Sequence, residues 1–354
     1  MAVRRLEIEN VRCIESGRLE LNPLRNVVFG ANGAGKTSIL EAAHVLGRGH
    51  SFRVRDNRRL VREGSEGFVV RCERSVAGPG QRLGVSYQHG SLDVRIDGKR
   101  GCRATELAHS LPVEVIDPAS HRLIDGSPGE RRRFLDWALF HVEHGYVGLW
   151  REFRRVLVQR NEALRRAVSE HELNVWDDAL TAAASRLEAV RATFFERWSQ
   201  RVAEIGERLL AVPVRLEYRS GIGRHGSLAQ ALQAGRERER ERGLTLCGPH
   251  RSDIVVRFRG GAARELASRG QQKLLAATWV LARLADRVSQ TGSGGLLLVD
   301  DPVAELDEQA LRRLIDELTA IPVQMIVTSI RRDALSSLGA GRTFHVEQGV
   351  IQAM

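Results

Sequence analysis

Lysine is nearly absent from this chain. Of its 54 basic residues only Lys36, Lys99 and Lys273 are lysines, so almost all positive charge sits on planar guanidinium forks, which donate in pairs and suit phosphate. Cysteine is scarce too. Cys13, Cys72, Cys102 and Cys247 stand far apart with no CxxC pair, which argues against a zinc site or a disulfide framework and fits a reduced cytoplasm. No apolar run approaches the ~18 residues that span a bilayer. The first residues turn charged at once (Arg4, Arg5, Glu7), so neither a signal peptide nor a membrane partner is expected. Aromatics make up 5% of the chain and do not interleave with the basic residues, which disfavours recognition of single strands by base stacking. What is plentiful is positive charge. A net +10 favours a polyanionic partner.

Against that background Lys36 stands out, because a compact ammonium has been kept where the chain otherwise uses arginine. Gly30 to Thr37 fits G-x-x-x-x-G-K-[ST] without a mismatch. It follows the apolar run Asn26-Val27-Val28-Phe29 and opens a helix-like stretch from Thr37 to Leu46, the context a phosphate-binding loop requires. Gly33 and Gly35 let the backbone wrap an anion, with successive N–H groups and the helix N-terminus pointing at it. Gly30, Asn32, Gly33, Ala34, Gly35, Lys36, Thr37 and Ser38 are therefore the expected ATP-binding residues, with Lys36 on the β/γ-phosphates and Thr37 on Mg²⁺.

A second segment, Gly295 to Asp307, reads as a buried parallel strand ending in paired aspartates. Asp300 would close the Mg²⁺ shell, and Asp301 would orient the attacking water. The alternative is plain helix capping before Pro302. Between Lys36 and Asp300 lie 264 positions of chain, yet both must meet at one nucleotide. The nucleotide lobe is thus expected from both chain ends, residues 1–115 and 245–354, with a helical lobe at 116–244 between them. Within that lobe Trp176, Leu180, Ala184, Leu187, Val190, Phe194, Trp198, Val202, Ile205 and Leu209 recur at three- and four-residue steps, one apolar helix stripe. Alternating Arg and Glu from Arg236 to Arg242 suggest a self-paired, solvated helix. Strands are expected at Leu244–Leu246 and Asp253–Phe258.

Ser268-Arg269-Gly270-Gln271-Gln272 precedes another helix and resembles the signature segment of ABC-type ATPases; alone it would also serve as an ordinary N-cap. Ala304-Glu305-Leu306-Asp307 has the position of the D-loop. With these, the order and spacing of Leu6 to Arg12, Ser51-Phe52-Arg53, Ser127-Pro128, Arg131 to Asp136, Gln159-Arg160-Asn161, Trp176-Asp177 and Gly248 to Asp253 make the chain similar to the RecF family of SMC-like ABC-type ATPases. The resemblance implies an α/β ATPase lobe and an ATP-dependent homodimer. In it Ser268, Gly270, Gln271 and Asp307 would contact the partner's nucleotide. It further implies DNA binding, in which duplex contact at single-strand/double-strand junctions is favoured, partnership with RecR and RecO, and aid to RecA loading at gaps and stalled forks. Three departures are visible: Ala304 where the D-loop usually has Ser, Thr328-Ser329 where many ABC enzymes carry a switch His, and no Q-loop Gln near Val113–Asp117. A non-hydrolysing DNA-binding scaffold is the rival reading.

Arg53, Arg55, Arg58, Arg59 and Arg62 crowd ten residues with only Asp56 opposing them, a candidate phosphate-tracking cluster. Arg151, Arg154 and Arg155, and Arg131 to Arg133, are further candidates. Any of these could instead be solvated surface or internally paired. His250 is catalytic by residue type, or structural by its place in a turn.

Overall fold

The computed structural model describes residues 2–75, 80–304 and 306–354. Contacts gather these into two compact units, residues 1–120 with 276–354, and residues 121–275. Glu305 of the D-loop stretch lies outside the described residues.

In the first unit, antiparallel strands β1 (Ala2–Val11) and β2 (Ile14–Glu20) precede β3 (Arg25–Phe29), which leads into α1 (Lys36–Arg48). Then come β4 (Gly67–Ser75), β5 (Gln81–Gln88), β6 (Ser91–Ile96), α2 (Ala104–Ser110) and β7 (Val113–Ile116). Five of these strands form one sheet in the order β2-β1-β4-β5-β6. Alternate residues such as Leu6 and Ile8, Phe68 and Val70, and Leu83 and Val85 are buried, as a sheet with one covered face requires. A tight turn at Asp97-Gly98 follows β6. Both residues have positive φ, 50° and 83°, and Ile96 pairs across to Lys99.

The second unit contains α3 (Arg122–Asp125), α4 (Pro128–Val142), α5 (Tyr146–Arg165), the 41-residue α6 (Glu170–Leu210), β8 (Val214–Arg219), α7 (Leu228–Arg242), β9 (Asp253–Phe258), β10 (Gly261–Ala262), α8 (Ala263–Leu266) and the start of α9 (Arg269–Thr291). β8 and β9 pair antiparallel along their full length, Val214 opposite Phe258 and Arg219 opposite Asp253. The inserted stretch therefore extends beyond residue 244. The apolar stripe of α6 is largely inward: Leu180, Ala184, Leu187, Phe194, Trp198, Val202, Ile205 and Leu209 are buried.

Two expectations fail in this unit. Leu244–Leu246 is not a strand; the Thr245 backbone N–H and hydroxyl both bond the Asn161 side chain, at 2.8 and 2.7 Å, so this segment is held by side chains. The Arg/Glu run of α7 is not self-paired either. Glu239 is fully buried against Arg160 at 2.8 Å, while Arg236 reaches Glu170 and Asp177 and Arg240 reaches Glu170. Arg160, itself without exposure, also donates to Asp177 at 2.6 Å and to the Thr245 hydroxyl at 2.8 Å. Arg160, Asn161 and Asp177 of the two motifs thus join Thr245 and Glu239 in one largely buried polar network.

The chain then returns to the first unit through β11 (Leu296–Val299), α10 (Glu308–Ala320), β12 (Gln324–Ser329), β13 (Arg342–Glu347) and β14 (Val350–Ala353). The second sheet of this unit runs β14-β13-β3-β12-β11-β7. All its pairings are parallel except β13–β14. β11 and β12 are buried at every residue, as interior strands covered on both faces must be. Helix α1 packs on β1, β4 and β5 of one sheet and on β7 and β12 of the other. Its Ile39, Leu40, Ala43 and Leu46 share one core with Ile8, Val70, Val28, Leu298 and Ile326. That packing fixes the helix N-terminus at the C-terminal ends of parallel strands, where ligands bind in such sheets.

Candidate functional site

The loop between β3 and α1 is closed by its backbone. Gly30 has φ 158°, and a Cβ there would lie 2.2 Å from the Val346 carbonyl oxygen, so only glycine fits so close an approach. Gly35, just before the helix, has φ 115°, a left-handed region that other residues rarely adopt. No side chain caps the start of α1, which leaves its first turn directed at an anion. Ala31, Asn32 and Gly33 are exposed, whereas Ala34, Lys36 and Ser38 are buried. The Lys36 ammonium donates to the carbonyls of Gly30 and Ala31, at 2.8 and 2.9 Å, so its charge is held within the loop.

Sheet register brings the aspartates to this loop. Val299 of β11 pairs with Val327 of β12 and with Ile116 of β7, so Asp300 comes level with Thr328 on one side and Asp117 on the other. The Thr37 hydroxyl lies 3.0 and 3.1 Å from the two Asp300 carboxylate oxygens, across 263 positions of chain. Asp301 has φ 46°, and its Oδ1 is buried without a hydrogen-bond partner. Burial raises its carboxyl above the usual range; Lys36 opposes this and Asp300 adds to it. The pair does not act as a helix cap: Asp300 meets hydroxyls, while Asp301 is turned by its backbone.

Asp117 and Thr328 are site neighbours to which the sequence reading gave no role. Burial pushes the Asp117 carboxyl up, the Ser120 hydroxyl opposes the shift, and Asp300 reinforces it. Asp117 directly follows β7, where a Q-loop glutamine is lacking, so a carboxylate stands at that strand end. The pairing of this short strand, Val113–Ile116, with the aspartate strand is revealed only by the fold.

Among the described residues no three His, Cys, Asp or Glu side chains gather to hold a metal ion. One carboxylate and one hydroxyl, Asp300 and Thr37, nevertheless suit Mg²⁺, which takes one or two protein ligands and completes its shell from phosphates and water.

The remaining expected site residues lie elsewhere. Ser268 and Gln271 make a reciprocal capping box at the start of α9. The Ser268 hydroxyl accepts the Gln271 N–H at 3.3 Å, and the Gln271 side chain accepts the Ser268 N–H at 3.0 Å. Ser268 is exposed and Gly270 half-buried. Asp307 caps α10, accepting the Ala310 N–H at 2.8 Å. In the arginine cluster, Arg58 pairs with Asp56 and Arg62 with Glu15, while Arg53, Arg55 and Arg59 stand exposed. Arg131 is no surface group: it is buried and donates to Asp253 at 2.7 Å. Arg132 donates to the Ser252 carbonyl, and Arg133, Arg151, Arg154 and Arg155 are exposed. His250 bonds the Thr245 carbonyl oxygen at 3.0 Å. Burial lowers its pKa to about 4, so it is a neutral structural histidine near neutral pH.

A Gly-rich loop with its lysine, on a helix wedged between two sheets and facing an aspartate from a parallel strand, defines the head of an ABC-type P-loop ATPase. The model of the RecF/RecN/SMC N terminal domain matches residues 2–352. The chain is 38% identical to the DNA replication and repair protein RecF of Stenotrophomonas maltophilia (strain R551-3), over 100% of both chains. It is 36% identical to that of Edwardsiella ictaluri (strain 93-146), over 99% of each. It belongs to the RecF family of DNA replication and repair proteins. Solved structures agree on the fold. A structure of the recombination mediator protein RecF with ATP matches with a TM-score of 0.85 at 23% identity, covering 100% of this chain and 97% of that one. An Smc head bound to the C-winged helix domain of ScpA matches with 0.64 at 16% identity, covering 100% and 97%. Among the described residues no helix is long and apolar enough to cross a membrane.

Proposed function

We propose that this chain is an ATP-dependent DNA clamp of recombinational repair. In this reading it dimerises on ATP, holds duplex DNA beside a single-strand gap or stalled fork, aids RecA loading with RecR and RecO, and lets go after slow hydrolysis. The observation that carries the reading is the 3.0 Å approach of Thr37 to Asp300 beside the Lys36 loop. Lys36 and the first turn of α1 would hold the phosphates, and Thr37 with Asp300 would hold Mg²⁺, which supplies charge neutralisation at the phosphates when bound. Asp301, short and already raised in pKa, would orient the attacking water weakly, which favours a long-lived ATP state. Ser268, Gly270, Gln271 and Asp307 would meet the nucleotide of a second copy.

The test is phosphate release with and without duplex DNA, run beside sizing of the protein with ATP. DNA-stimulated release that disappears in Lys36→Met, together with an ATP-dependent dimer, is the expected result. Tight ATP binding with no release, and a mass unchanged by ATP, would replace the clamp by a DNA-binding scaffold with a structural nucleotide.

For DNA, the exposed Arg53, Arg55 and Arg59 are the proposed phosphate contacts, since Arg58 and Arg62 already face carboxylates. Replacing the three by Gln should weaken duplex binding and flatten the log–log salt slope by up to about 2.7, at roughly 0.9 per lost contact. An unaltered slope would move the DNA surface to other exposed arginines such as Arg151, Arg154 and Arg155.

A further inference from the structure

We infer that Thr328 is the positioning residue of the aspartate pair, fixing Asp300 and Asp301 at once through a single hydroxyl. Its Oγ1 donates to Asp300 Oδ1 at 2.9 Å and accepts the backbone N–H of Asp301 at 2.9 Å. A hydroxyl has one proton to give, so the two bonds assign its roles completely. Thr328 has no solvent exposure, and its strand is paired on both sides, with β3 and with β11. A β-branched side chain so placed has little rotamer freedom.

The two bonds have different consequences. Donation to Asp300 opposes rotation of the carboxylate that Thr37 also holds, so the acid is preset for a cation. Acceptance from Asp301 stabilises a backbone that non-glycine residues seldom adopt, φ 46°. With the N–H anchored sideways into β12, the Asp301 carboxylate is left facing its site, with Oδ1 buried and unbonded. Without the hydroxyl, that half-buried N–H would lose its protein acceptor, and the left-handed turn would lose the bond that anchors it. Thr328 touches no reacting atom in this scheme; it acts through the two acids.

This inference rests on the nucleotide-site reading above, and the tests keep the two separable. Thr328→Val preserves shape and removes the hydroxyl; Thr328→Ser keeps the hydroxyl and drops a methyl group. In protein free of metal and nucleotide, the Asp301 amide should exchange with solvent at least about tenfold faster in the Val variant than in wild type or Ser, as expected for one lost buried hydrogen bond. The Mg²⁺ concentration at half-saturation of a fluorescent ATP analogue should rise by about tenfold in Val and by less than about threefold in Ser. In turnover, Val should lose about tenfold to a hundredfold in kcat with KM for ATP little changed, since Lys36 and its loop are untouched. Equal protection of Asp301 in all three proteins would overturn the inference, as would a Ser variant as impaired as Val, which would reassign Thr328 to methyl packing. If wild type binds nucleotide but releases no phosphate, the hydrolytic reading falls, while amide exchange and the Mg²⁺ midpoint still decide the role of Thr328.

Discussion

Two inactive proteins, Ser268→Arg and Lys36→Met, are expected to recover phosphate release when mixed. Each alone should fall at least about a hundredfold, the scale for losing one preorganised donor to a phosphate transition state. Lys36→Met removes the ammonium that the loop holds through the Gly30 and Ala31 carbonyls, so that subunit cannot use its own nucleotide. Ser268→Arg leaves the loop, Thr37 and Asp300 intact, so a monomer should still bind ATP. Its bulk would block docking of a partner's nucleotide at the start of α9. A heterodimer then has one complete site, the intact loop of one subunit facing the intact Ser268 of the other. In an equal mixture half the dimers are mixed, so about a quarter of wild-type sites should work. Because Ser268 also caps α9, Ser268→Ala controls for the cap alone: it forfeits about 1 kcal/mol of helix capping without adding bulk, so its monomer should fold and bind ATP as Ser268→Arg does, while its turnover falls with the lost phosphate contact. Failure of a verified heterodimer, combined with ATP binding lost from Ser268→Arg monomers, would show that Ser268 is only a cap.

Arg160→Ala should destabilise the inserted unit by about 3–5 kcal/mol, the usual cost of removing one partner from a buried ion pair. The side chain is fully buried and faces two carboxylates, Asp177 at 2.6 Å and Glu239 at 2.8 Å. Truncation strands Glu239, which has no exposure of its own. It also removes the donor from which the Thr245 hydroxyl accepts. Arg160→Lys should fall between the two, since a single ammonium cannot span three acceptors set around a planar fork. Urea unfolding, followed by tryptophan fluorescence of Trp176 and Trp198 in this unit, reads the difference. A loss under about 1 kcal/mol would mean that the two acids find other partners or water.

The parts of the site that were legible in the sequence are those encoded locally. Gly30 to Thr37 needs only its own backbone and one flanking strand, and the run Leu296–Val299 carries its burial in four consecutive apolar residues. The stripe of α6 was readable because helix periodicity is a property of neighbours. What the sequence concealed depends on register between distant segments. Asp117 and Thr328 come to flank Asp300 only because β7, β11 and β12 align at Ile116, Val299 and Val327. The Arg/Glu run of α7 misled for the same reason: its best partners, Arg160, Glu170 and Asp177, lie tens of positions upstream, and local alternation gives no hint of them. Arg131 misled similarly, since a basic run at a helix start looks like surface until Asp253 is brought beside it.

The place of β3 in its sheet has a consequence for how the protein is made. Its two neighbours are β12 and β13, so the strand that carries the phosphate loop pairs with nothing encoded before residue 324. On the ribosome, residues 25–29 emerge early and wait while nearly the whole chain is synthesised. Pairings of such long range are slow to close and leave apolar edges open meanwhile. A nascent chain therefore has no working nucleotide site until synthesis has passed residue 347. An incomplete copy, stalled or truncated short of β12, leaves β3 and the loop it carries without a strand partner on either side.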